Sequence, residues 1–343
     1  MAFQRLLVLI MLLACVSANY TKVLWNHRCD PGSEIFACTV PHFLYKPGRN
    51  HSTLEAPDTV HKVRLAYPME KKILDDNEIL AYDQVLHATL HRPRAIQITS
   101  CSLTTVEFPL DLEYADFADN SIKSVVVSNN VTSEYALQYL DLSGNRLESI
   151  SNLSLLVNLK TLNLKNNWLE SADLSVVLHM VKLSVLDLSI CELEELSFAS
   201  LPNTLEWLLL SKNSLSSLDL ADVQLPALQV LDLQYNSLEE LDTNALFAAA
   251  RNLKVVLVGY NDFPREKAKS IAHTLREADI THDSINPAES RQNEWDEHYR
   301  SSQKQELLEH IINGMLVLVN VCVMSWGGMR LYEVFNKRNA TPQ

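Results

Sequence analysis

The chain has 343 residues and carries 29 basic against 42 acidic side chains, a net charge of −13. With no basic patch along any constructible face, that balance argues against a nucleic-acid-binding role. Seven glycines in the whole chain fit stacked repeat units better than a Gly-rich β-helix.

Residues 1–18 read as a secretory signal: Arg5, the apolar run Leu6 to Leu13, then small Ala14, Ser17 and Ala18. The rival reading, a first membrane helix, suffers because the run is far short of about 20 apolar residues. Export implies an oxidising compartment. It also makes the sequons at Asn19, Asn50, Asn130 and Asn152 candidate glycosylation sites. Residues 19–59 carry Cys29, Cys38 and four prolines (Pro31, Pro41, Pro47, Pro57) without a helical period, which predicts an irregular N-terminal cap. A Cys29–Cys38 disulfide is the favoured pairing. Half of a zinc site is the alternative, and His27 and His42 offer it little.

Residues 60–263 are repetitive. Val60, Val63 and Leu65 predict a first strand, followed by a helical segment near Ile73 to Leu90. Two degenerate units follow, Pro93-x-x-Ile96-x-Ile98-x-x-Cys101-x-Leu103 and Leu112-x-x-Ala115-x-Phe117-x-x-Asn120-x-Ile122. Six clear units then start at Leu137, Leu159, Leu183, Leu205, Leu228 and Leu253, the plainest reading Leu137-x-x-Leu140-x-Leu142-x-x-Asn145-x-Leu147. Their spacing of 22 to 25 residues is the leucine-rich-repeat period. Leucines two apart point to one side of a short strand, and the Asn side chain saturates the backbone of the turn that follows. The expected fold is an α/β leucine-rich-repeat solenoid of eight or nine units, a curved horseshoe with parallel strands on its concave face. Cys101 and Cys191 occupy the Asn slot, where buried free thiols are expected.

Beyond the repeats, Ala268, Ile271, Ala272 and Leu275 at helical spacing predict a C-terminal cap helix over 264–280. A juxtamembrane stalk is assigned to 281–310. Residues 311–329 hold no charge and suffice for one membrane span. Arg330, Lys337 and Arg338 then place the tail, 330–343, in the cytoplasm and the repeats outside the cell. Rival readings of 311–329 are an amphipathic helix on a partner or a buried cap; without the span the protein would be secreted. Asn313, Asn320 and Gly327 share one face of that helix, a pattern of either homo- or hetero-dimerisation or merely tolerated polar residues.

The variable strand positions supply the candidate ligand-facing residues: Tyr114, Asp116, Tyr139, Asp141, Asn163, Lys165, Asp187, Trp207, Leu209, Asp232 and Gln234. Asp116, Asp141, Asp187 and Asp232 recur at one position. They form either an electronegative groove for a basic ligand or the solvated carboxylates of an ordinary Leu-Asp-Leu strand, and the second reading is favoured. Trp207, with Leu209 beside it, is an interface anchor unless it packs on a flanking loop. No nucleophile elbow, phosphate-cradling glycine loop or His-Glu-x-x-His motif is present, so a non-enzymatic binder without cofactor is expected.

Signal, cysteine pair, repeats such as Leu137-Gln-Tyr-Leu-Asp-Leu and Leu228-Gln-Val-Leu-Asp-Leu, and the C-terminal apolar segment together resemble the mosquito leucine-rich-repeat immune proteins, in particular their transmembrane subgroup. The resemblance implies innate immune recognition, or scaffolding of an anti-microbial or anti-parasite response, with a protein or microbial-surface ligand on the concave face. The alternative is a cell-surface adhesion or developmental receptor subunit.

Overall fold

Each repeat contributes a strand of about three residues whose middle side chain is buried and whose outer two are half-exposed. Tyr139–Asp141 and Val185–Asp187 are examples. The computed structural model describes residues 26–29, 37–41, 43–57, 60–66, 79–129, 133–169, 174–285 and 287. The expected signal, Asn19, Asn130, nearly all of the stalk, the apolar segment with Asn313, Asn320 and Gly327, and the tail lie outside them. Among the described residues no helix is long and apolar enough to cross a membrane.

Eleven parallel strands form one continuous sheet, from Ala37–Pro41 to Thr281–His282. Register is strict. Leu140 pairs with Leu162, Leu162 with Leu186, Leu186 with Leu208 and Leu208 with Leu231. The buried leucines therefore stack in columns, each repeat covering its neighbour's apolar face. This is a leucine-rich-repeat solenoid.

The turn after each strand is held by the Asn slot. Asn145 Nδ2 donates to the carbonyls of Phe117 (3.0 Å), Leu142 (2.9 Å) and Ser143 (3.1 Å), while its Oδ1 accepts from Ile122 N at 3.0 Å. Asn120, Asn167, Asn213, Asn236 and Asn261 repeat the scheme. Buried backbone groups that would otherwise be orphaned are thereby satisfied from one repeat to the next.

Cys101 and Cys191 are free and buried. A thiol donates but accepts poorly. Cys191 Sγ donates to Leu164 O at 3.3 Å, and Leu169 N, lacking a side-chain acceptor, bonds the Cys191 carbonyl at 3.2 Å. The residue after each of these cysteines is left-handed (Ser102, φ 65°; Glu192, φ 60°), a turn of the following peptide that no Asn-bearing unit shows.

Three expectations need correction. The N-terminal region is not irregular: Asn26–Arg28 pairs with Thr53–Glu55, and Ala37–Pro41 begins the long sheet. The cause is the exposed edge of the first repeat. Cys38 and Val40 pair with Val63 and Leu65 and bury them, while a Cys29–Cys38 disulfide fixes the strand. Within the described part of the expected helix at 73–90, only Gln84–Thr89 is helical, started by Asp83, whose Oδ1 accepts from Leu86 N at 2.8 Å. Ala81–Tyr82 is instead a strand, paired with Thr105–Glu107 and, through it, Ser124–Val126 in a second parallel sheet. Finally, the polar stretch beginning at Thr281 supplies the eleventh strand, set beside the helix Arg265–Glu277, which buries Ala268, Ile271 and Leu275.

Candidate binding face of the long sheet

Two rows of side chains cross the outward face of the sheet, one from the first and one from the third residue of each strand. The first row reads Lys62, Ala95, Tyr114, Tyr139, Thr161, Val185, Trp207, Val230, Val255. The second reads Arg64, Gln97, Asp116, Asp141, Asn163, Asp187, Leu209, Asp232, Leu257. Nine of the eleven candidate ligand-facing residues fall in these rows; Lys165 and Gln234 sit two residues beyond, at the turns.

The recurrence of aspartate has a local cause. Oδ1 of Asp116, Asp141, Asp187 and Asp232 accepts the backbone N–H two residues on, from Ala118 (3.2 Å), Ser143 (2.8 Å), Ser189 (2.9 Å) and Gln234 (3.0 Å). Asn163 does the same for Lys165 at 3.1 Å. These are Asx turns that steer the chain out of the strand. Leu209 and Leu257 interrupt the row without one.

The second oxygen is left for neighbours. In the N-terminal half it enters a polar relay: Arg64 Nε donates to Gln97 Oε1 (2.6 Å), Gln97 Nε2 to Asp116 Oδ2 (2.8 Å), and Asn163 Nδ2 to Asp141 Oδ2 (2.9 Å). Above it Tyr114 and Tyr139 stack at 4.3 Å and 6°, and Lys62 reaches across the small Ala95 to stand 5.5 Å from the Tyr114 ring. Burial, then the nearby Asp116 and Asp141 charges respectively, push the phenols of Tyr114 and Tyr139 upward.

The C-terminal half is apolar. Trp207 is 47% exposed and lies between the half-buried Val185 and Val230. Val255 and Leu257 extend the patch on the next strand. Burial raises the Asp232 carboxyl, as do the charges of Asp283 and Asp187. Burial likewise raises Asp116, which Gln97 and Lys62 partly offset.

Sequence reasoning missed Val185, Val230, Val255 and Leu257 as surface residues because an apolar residue in such a strand reads as core. It also missed the turns. The residue before each Asn or Cys slot is left-handed in all eight units: Ser100, Asp119, Gly144, Asn166, Ile190, Lys212, Tyr235 and Tyr260. The last three bring Tyr235 and Tyr260 into a stack (4.2 Å, 4°) with Lys212 Nζ 5.5 Å from the Tyr235 ring. Reading the repeats as columns would have aligned these three. Of the candidate glycosylation sites, Asn50 is exposed after a turn, and Asn152 is exposed with Nδ2 donating to Val125 O at 3.1 Å.

Among the described residues no group of three or more His, Cys, Asp or Glu side chains is placed to hold a metal ion. One polar chain, buried at its inner end, lies away from the face. Tyr82 OH meets His87 Nδ1 (2.7 Å), His87 Nε2 meets Asp111 Oδ1 (3.0 Å), and Arg92 Nε donates to Asp111 Oδ2 (3.0 Å). Its arrangement fits a neutral His87 with the proton on Nε2, tying the helix Gln84–Thr89 to the next repeat. Tyr82 and His87 are fully buried, so only the outer groups, Asp111 and Arg92, reach solvent.

Residues 135–177 match a family model for leucine-rich repeats in two copies. No curated protein matches the chain. Among solved structures it is similar to the functional domain of InlJ from Listeria monocytogenes, at 17% identity and a TM-score of 0.42, over 60% of this chain and 51% of that one. It is also similar to internalin C2 from Listeria monocytogenes strain 4b F2365, at 23% identity and a TM-score of 0.43, over 52% of this chain and 76% of that one. The chain thus spans about half the length of the first of these. The fold itself rests on the chain's own repeats and strand register.

Proposed function

We propose that this protein is a non-enzymatic recognition scaffold that binds a protein or microbial-surface ligand on the outward face of its long sheet. The supporting observation is a row of aromatic and apolar side chains, Tyr114, Tyr139 and Trp207, held on rigid paired strands and half-exposed. Aromatic anchors on a preorganised surface lose little entropy on binding and carry most of an interface's energy. Taken with the expected signal and apolar C-terminal segment, the reading places the repeats outside the cell on a membrane anchor. The resemblance to mosquito leucine-rich-repeat immune proteins gives the ligand its context, recognition or scaffolding against microbes or parasites.

The test is binding of the purified full-length protein to bacterial and parasite surfaces and to host extracellular proteins. Tyr139→Ala and Trp207→Ala should weaken it, whereas Leu178→Ala, on a 3-10 turn outside the sheet, should not. Equal binding by all variants would move the site elsewhere. Absence of transcript induction after infection would remove the immune assignment.

A further inference from the structure

Resting on that reading of the face, we infer that its C-terminal half takes one kind of partner: a protein segment that seats an apolar side chain beside Trp207 and brings a lysine or arginine to the carboxylates of Asp187 and Asp232.

The two halves of the face differ in what they leave unsatisfied. In the N-terminal half, charges and amides are spent on one another through the Arg64–Gln97–Asp116 and Asp141–Asn163 bonds, and Lys62 lies over Tyr114. In the C-terminal half, Val185, Trp207, Val230 and Val255 follow one another in register across four adjacent strands. The parallel row alternates Asp187, Leu209, Asp232 and Leu257. The result is an apolar strip whose second row is interrupted by two carboxylates.

Each of those carboxylates gives Oδ1 to the turn that follows, at 2.9 Å for Asp187 and 3.0 Å for Asp232. Asp232 also accepts a bond from the Ser211 side chain, but among the described residues neither carboxylate is bonded to or paired with a basic side chain. The charges bearing on Asp232 are those of Asp187 and Asp283, both of its own sign. A partner cation would relieve that repulsion while its own apolar groups cover the tryptophan. The turns leaving these strands carry Lys212, Tyr235 and Tyr260, stacked in line. They add a rigid aromatic edge of the kind that anchors interfaces. An acidic or purely polar segment would desolvate the carboxylates without compensation.

The probe is a random peptide display library selected on the full-length protein in detergent, with a parallel selection on the Trp207→Ala protein, each enriched peptide then being measured on the wild-type, Trp207→Ala and Tyr139→Ala proteins. The expected peptides combine an aromatic or large aliphatic residue with at least one lysine or arginine. Trp207→Ala should weaken them at least about tenfold. The pair Asp187→Asn and Asp232→Asn keeps the amide oxygen for the turn while removing charge, and should weaken binding and flatten its salt dependence. Enrichment of acidic or uncharged peptides, or no enrichment over the Trp207→Ala protein, overturns the inference. Peptides lost on Tyr139→Ala but retained by Trp207→Ala overturn it while leaving the outward face as the binding surface. Peptides indifferent to both overturn that broader reading as well. A concentration-dependent dimer abolished by Trp207→Ala would make the occupant a second copy and reject the basic segment.

Discussion

Asp283 closes the solenoid by giving its carboxylate to the backbone where Gly259 leaves room for it. Oδ1 accepts from Val258 N at 2.9 Å and Oδ2 from Gly259 N at 2.7 Å, and Gln234 Nε2 donates to Oδ2 at 2.8 Å. In the preceding repeat the matching donors are met otherwise: Leu233 N meets the next unit's Leu257 O, and Gln234 N meets Asp232 Oδ1, an acceptor that Leu257 does not offer to Gly259. At the last full repeat a side chain takes over that part. A Cβ on residue 259 would run into the Asp283 carboxylate and stand 2.8 Å from Ser284 O. Gly259→Ala should therefore destabilise the protein by about 2 kcal/mol, read as a lower denaturant midpoint. Asp283→Ala should do so comparably, by leaving two N–H groups without acceptors. Wild-type midpoints in both would deny the cap.

Ile190 is a β-branched residue held at φ 58°, in the turn position that glycine fills at Gly144. The left-handed conformation costs such a residue roughly 1–2 kcal/mol, and asparagine tolerates it far better. Ile190→Asn should raise stability by about 1 kcal/mol without altering binding, measured by chemical denaturation. A loss of stability would mean that Ile190 packing outweighs its backbone strain.

Acid should loosen the N-terminal repeats first. Burial holds the His87 imidazole below its ordinary value of 6.5, despite the opposing pull of Asp111. A histidine whose folded value lies below its unfolded one contributes stability above about pH 6.5, lost as pH falls below it. Burial opposes ionisation of Asp111, yet Arg92 and His87 outweigh it and hold that carboxyl below 3.8, so its contribution too is lost on acidification, through the carboxylate range. Asp116 and Asp232, raised by burial, act in the opposite sense, but only near the carboxylate range. The denaturant midpoint should thus decline between pH 7 and 5, with the loss blunted in His87→Gln. Hydrogen exchange should report it first around Tyr82 and Leu86. A flat midpoint over that window would exclude the His87 chain as the cause.

The sequence carried the solenoid because its period is written in residues whose burial is obligatory, such as Leu140, Leu142 and Asn145. The ends were poorly legible. Cys38 and Val40 alternate as a strand should, but prolines around them mask it, and Asp283 matters only because of what stacking leaves unsatisfied at Val258 and Gly259. The face was half legible. Trp207 announces itself by type, whereas Val230 and Val255 look like core until register turns them outward. The aspartates read alike at every position, as an electronegative groove or, the favoured reading, as solvated carboxylates, and neither reading shows the Asx turn that is their first duty. Only a partner one repeat away in the chain, Gln97, distinguishes Asp116 from Asp187.

The most direct test of the outward face is a glycan placed at its centre. Lys165→Thr turns Asn163-Leu164 into a glycosylation sequon. The full-length protein would be expressed behind a heterologous secretory leader, with occupancy confirmed by mass. Lys165→Thr combined with Asn163→Gln supplies the same backbone without the sugar. Binding to microbial cells should fall at least about tenfold in the glycosylated protein and persist in the sugar-free control. Undiminished binding with Asn163 fully glycosylated would contradict recognition through this face.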